Sequence, residues 1–88
     1  MHVRIISPEE SVYDGDADAV VAPAFDGQIG ILPRHAPLMT LLGEGPLTLK
    51  TGEGEQVFDV RGGFLQVVND MVSVVAEHAK TREKGAKL

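Results

Sequence analysis

The chain contains no cysteine. That excludes a disulfide framework, thiolate chemistry and the cysteine-based zinc sites. No apolar run comes near the roughly 20 residues that a membrane-spanning helix needs. The start, "MHVRIISPEE", lacks the long apolar segment of a secretory signal. These absences lead us to expect a soluble chain kept in the cytosol, with no direct membrane insertion. Positive charge is scarce as well: eight Lys and Arg stand against thirteen Asp and Glu, for a net charge of −5. That balance argues against nucleic acid as a partner. The deficit is uneven, because residues 1–79 hold four basic and twelve acidic groups while residues 80–88, "KTREKGAKL", hold four and one.

The 88 residues, 43% of them hydrophobic, suffice for one domain with one core. Period-two patterns and turn residues dominate. "VRIIS" (Val3–Ser7), "SVY", "ADAVVAPA" (Ala17–Ala24), "QIGIL" (Gln28–Leu32), "PLTLK", "QVFDVRG", "GFLQVV" and "MVSVVA" read as strands. "LMTLL" (Leu38–Leu42) is ambiguous by pattern, apolar enough for a buried strand and too short to establish a helix. Pro23 limits its strand to an edge or an end, and Gly30 marks a bulge or a close backbone approach. Asn69-Asp70 suits a tight hairpin, since both residues tolerate positive φ. Short β runs at this spacing predict an all-β sandwich or barrel over residues 1–79, followed by a flexible basic tail at 80–88. The last strands carry an apolar excess. Val72, Val74 and Ala76 share one face and Met71 and Val75 the other, while Phe64, Leu65, Val67 and Val68 also occupy both. A free-standing sandwich needs one apolar face per strand, so the excess implies either a second cover or a partner surface.

The residues make no case for catalysis. His2, His35 and His78 lack metal-ligand spacing. "DGDAD" lacks the later glycine and closing glutamate of a calcium loop. The glycine-rich pieces lack the Lys-Ser/Thr ending of a phosphate loop, and Ser7, Ser11 and Ser73 lack a nucleophile-elbow context. We therefore expect no metal and no cofactor. The stretch "GQIGILPRHAP" is different, because it sets Arg34 and His35 side by side between two prolines. Proline fixes its own φ and pushes the preceding residue toward extended backbone. Two cation-capable side chains thus sit on a stiff bridge with little freedom to lose on binding, a preorganised contact loop for a polar or anionic surface.

Three segments, "ISPEESVYDGDAD", "GQIGILPRHAPL" and "VRGGFLQVVNDMVSVVAEHA", in this order, resemble the N-terminal β domain of the ε subunits of bacterial F-type ATP synthases. The resemblance implies a ten-stranded antiparallel β-sandwich of two five-stranded sheets, in a non-catalytic rotor subunit of the central stalk. It implies the γ subunit and the membrane-embedded c-ring as partners, with the catalytic α and β subunits met only inside the assembled complex. It also implies a peripheral location on the cytoplasmic face of the plasma membrane. Carried over by position, the ring-facing candidates are Gln28, Arg34 and His35 with Ser7, and Thr40 is the candidate for γ. His35-Ala36-Pro37 matches the family motif directly, while Gln28 and Arg34 stand where the motif commonly has glutamate and glycine. The usual two-helix C-terminal domain has no counterpart in "KTREKGAKL". The rival reading is a stand-alone β-sandwich that binds a small ligand, with the glycine–proline loop as one wall of the pocket.

Overall fold

Alternating Val, Ile and Leu residues drive this chain into strands, because each strand then buries one row of side chains against its neighbours. The computed structural model describes residues 1–82. They form β1 (His2–Ile6), β2 (Ser11–Asp16), β3 (Ala19–Ala24), β4 (Gly27–Ile31), β5 (Leu38–Leu41), β6 (Glu44–Thr51), β7 (Gly54–Val68) and β8 (Met71–Thr81). The all-β expectation holds, but the strands number eight rather than ten. The reason is continuity. "QVFDVRG" and "GFLQVV" belong to one 15-residue strand, β7, and β8 runs on for 11 residues beside it.

Both long strands pass through two layers. The first layer contains β2, β1, the start of β8, the end of β7 and β5. The second contains β4, β3, β6, the start of β7 and the end of β8. Each layer therefore presents five segments. The pairing is not wholly antiparallel, because β1 runs parallel to β8 from His2↔Met71 to Ile6↔Val75.

The corner between the layers falls at Gly62-Gly63. Phe58 and Val60 are buried before it, Leu65 and Val67 after it, so the inward phase of β7 changes from even to odd residues. Two glycines at φ 71° and 100° allow that change. A Cβ on Gly63 would lie 1.9 Å from the Val75 carbonyl oxygen, so no other residue fits there. The inner faces meet in one core that joins Val3 and Ile5 of β1, Leu47 and Leu49 of β6, and Val72 and Val74 of β8. Across the layers, Tyr13 meets Phe58 edge-on with ring centroids 5.7 Å apart.

One local expectation holds, at the end of a strand, and one changes. Pro23 lies in an interior strand, but past Val21↔Thr48, where pairing with β6 has ended, so its missing N–H costs no ladder bond. Lys80 and Thr81 belong to β8 rather than to a tail. Arg82 extends the attachment by donating its N–H to the Val57 carbonyl at 2.8 Å and pairing its side chain with Asp59. The rest of the expected tail, 83–88, lies outside the described residues.

Candidate functional site

The proline loop joins β4 to β5 through a tight turn. The His35 N–H donates to the Leu32 carbonyl at 3.2 Å, with Pro33 and Arg34 between them. Proline then positive φ, here 66° at Arg34, is the pattern of a type II turn, whose second central position favours glycine. The Arg34 N–H also donates to Asp70 Oδ1 at 2.7 Å. Asp70 and Asn69, at φ 62° and 52°, form the expected two-residue hairpin between β7 and β8. His35 Nδ1 lies 2.8 Å from the Ala36 carbonyl. A carbonyl only accepts, so Nδ1 carries the proton and the neutral ring offers its acceptor at Nε2. Arg34 is exposed and its guanidinium has no ion pair among the described residues.

The other candidates are scattered. Gln28 is exposed but sits opposite Pro23 at the start of β4, about 13 Å of strand from Leu32 at 3.3 Å per residue. Ser7 is buried, and its N–H and Oγ both reach the Glu10 carbonyl, at 2.9 and 3.3 Å. It lies past the far end of β1, whose first residue, His2, donates its N–H to the Asp70 carbonyl. Only Arg34 and His35 share a surface. Thr40 is half-buried and faces the same way as its cross-strand partner Leu65, a core residue.

The neighbours of Thr40 point outward instead. On the outer face of the first layer, Leu41, Phe64, Val75 and Ile6 form one cross-strand row. Met39 opens the next, and Val68 with Met71 the one after. Met39 is 63% exposed, Leu41 59%, Met71 44%, Val68 40% and Val75 38%. Phe25, 68% exposed, adjoins this face, since its N–H donates to the Leu41 carbonyl. Apolar exposure clustered in this way, with Gln66 and Ser73 set between its rows, marks an interaction surface. Its border on β1 and β2 is charged: His2 lies 2.5 Å from Asp14 and 3.4 Å from Asp16, and Arg4 3.8 Å from Asp14. The sequence reading singled out Thr40 and missed Met39 and Leu41. Plain alternation in "LMTLL" puts those two on one face and Thr40 on the other.

The second layer's outer face carries more charge, although Val21 and Val57 flank Thr48 in one of its rows. Glu44, Arg61 and His78 stand in one row, Asp59 and Lys80 in the next, and Lys50 pairs with Glu55 at 3.9 Å. The bond from Arg82, joined by the nearby charges of Arg82, His78 and Lys80, holds the Asp59 carboxyl below its ordinary value. Among the described residues no group of His, Asp and Glu is arranged to hold a metal. A hollow of about 330 Å³ lies against Gly30, Ile31 and Leu32, but neither Arg34 nor His35 lines it.

A model of the β-sandwich domain of the ATP synthase delta/epsilon chain matches residues 1–82, the whole described fold. The chain belongs to this family. It is 42% identical to the ATP synthase epsilon chain of Caulobacter vibrioides, covering 90% of this chain and 92% of that one. With the epsilon chain of Frankia casuarinae the identity is 48%, over 91% and 95%. The epsilon chain of Acidithiobacillus ferridurans is longer: at 49% identity the match covers 89% of this chain and 55% of that one. Among solved structures, a chain of the Euglena gracilis mitochondrial ATP synthase superposes with a TM-score of 0.83 at 20% identity, over 90% of this chain and 51% of that one. At that identity the likeness speaks for the fold.

Proposed function

We propose that this chain is a non-catalytic rotor subunit in the central stalk of a proton-translocating F-type ATP synthase, peripheral to the membrane that holds the complex. The apolar outer face of the first layer packs on γ. The Arg34–His35 turn meets polar loops of the c-ring. The single observation that carries this reading is the contrast between the two outer faces, one apolar around Met39 and Leu41 and the other charged around Arg61 and Asp59. A domain that needed only its own core would have no use for the first. The family supplies the partners' identity. Thr40 then supports the γ face from within, through its neighbours. Gln28 and Ser7 lie on other elements, so a ring contact at either is separate from the one at the turn.

The test is co-purification from membranes, in which γ and the c-ring should follow the tagged chain. Replacing both Arg34 and His35 with alanine should keep γ bound and weaken coupling. The loss should be modest, since rim contacts contribute about 1 kcal/mol or less each. Proton pumping in inverted vesicles that is unchanged by the double substitution would remove the turn from the contact. Failure of γ to co-purify would overturn the reading as a whole.

A further inference from the structure

We infer that Asp70 is the positioning residue of the Pro33–Arg34 turn, holding a non-glycine residue at the corner through its backbone and leaving the Arg34 guanidinium free to meet an acidic group on a partner. The backbone of Arg34 is left-handed at φ 66°, which crowds any residue that bears a Cβ. The loop supplies one bond of its own across the turn, from the His35 N–H to the Leu32 carbonyl. The second comes from 36 residues away, where Asp70 accepts the Arg34 N–H at 2.7 Å. A carboxylate acceptor makes such a bond stronger than a neutral one.

The choice of atoms matters. An aspartate beside an arginine ordinarily takes the guanidinium, but Asp70 gives Oδ1 to the Arg34 amide and Oδ2 to the Met1 ammonium at 3.9 Å, and the Arg34 head has no ion pair among the described residues. Asp70 is itself anchored, because it sits at φ 62° in a two-residue hairpin and its carbonyl accepts the His2 N–H at 3.2 Å. The turn is thereby tied to β1, β7 and β8. Its free cation then has a fixed origin from which to reach a facing carboxylate. That last step rests on the turn being a contact surface. The tie to Asp70 does not.

The experiment uses the full chain and two substitutions chosen for the backbone. Asp70→Gly removes the acceptor while suiting positive φ, and Asp70→Asn keeps an oxygen acceptor. In Asp70→Gly the Arg34 amide should move upfield in nitrogen–proton spectra and exchange with solvent about tenfold faster, the size expected for losing a charge-assisted bond. Asp70→Asn should restore most of the protection. In an Arg34→Gly background, Asp70→Gly should lower the unfolding midpoint less than in the parent, because glycine needs no help at that φ and only the pair of Asp70 Oδ2 with the Met1 ammonium, at 3.9 Å, is then lost. An Arg34 amide that is indifferent to Asp70→Gly would overturn the tie. If the amide responds, coupling in inverted vesicles should fall in Asp70→Gly and recover in Asp70→Asn. A responding amide with undisturbed coupling would instead refute the role of the turn as a partner contact.

Discussion

The apolar face makes the most quantitative claim. Full burial of a leucine or methionine side chain contributes about 1.5–3 kcal/mol. In the free chain Met39 is 63% and Leu41 59% exposed, so that is the fraction a partner can still cover. Each should then contribute about 1–2 kcal/mol to docking, and the pair about 2–4 kcal/mol. The doubly substituted chain, Met39→Ala with Leu41→Ala, should bind isolated γ about 30- to 1,000-fold more weakly by titration calorimetry. Its own stability should change little, because neither side chain belongs to the core. Glu44→Ala with Lys80→Ala on the opposite face is the control and should leave the affinity within about twofold. If the apolar pair weakens γ binding by less than about threefold, or no more than the control does, the docking face has been misassigned.

Gly63→Ala should lower unfolding stability in urea by about 3 kcal/mol or more, because its Cβ would lie 1.9 Å from the Val75 oxygen. Gly30→Ala, with no atom within 4 Å of its added Cβ, should stay within about 0.5 kcal/mol of the parent. Equal losses at the two sites would remove the special role of the corner. Asp59→Asn tests the Arg82 pair. Since the folded carboxyl is held below the ordinary 3.8, its contribution is present above that pH and lost as pH falls through the lower folded value. The urea midpoints of the parent and Asp59→Asn should therefore differ slightly at neutral pH and converge in strong acid; a gap that widens in acid would contradict the assignment. Purified chain should show no ATP hydrolysis, and turnover that tracked the chain through successive columns would contradict the rotor reading.

What the sequence discloses here depends on the range of the physics involved. Strand placement and turn chemistry are local, so alternation located "PLTLK" and the tolerance of Asn69-Asp70 for positive φ located their hairpin. The two-faced apolar character of Met71 to Ala76 was legible for the same reason, and its outward members are the exposed Met71 and Val75. The strand count was not legible. "RGG" reads as a break between strands, and only β8, which pairs with Phe58–Arg61 before it and with Gly63–Val68 after it, reveals that the strand continues through it. The parallel β1–β8 pair was hidden as well, since nothing near His2 indicates a partner some 70 residues on. The same limit applies to the candidate site. The stiffness of the proline loop could be read from Pro33 and Pro37, but not its dependence on Asp70. Gln28 was grouped with Arg34 by the resemblance alone, with no local signal behind it, and the rest of β4 lies between them.

The corner at Gly62-Gly63 explains how so small a domain can offer distinct surfaces without a second domain to carry them. One continuous strand crosses from layer to layer there and changes its inward phase, so the outer faces on either side can differ in character while sharing one core. The row from Leu41 through Phe64 and Val75 to Ile6 lies on one side of the corner, and the row from Glu44 through Arg61 to His78 on the other. Apolar area supplies affinity without direction. Direction must come from polar groups at its edge, and the cluster of His2, Arg4, Asp14 and Asp16 borders the apolar rows on one side only. A partner lying on Met39 and Leu41 would meet this charged flank toward β2 and, on the β5 side, the exposed Phe25 whose N–H is bonded to Leu41. Were a partner to dock there, that asymmetry would favour one orientation and, with it, one direction for the Arg34–His35 turn.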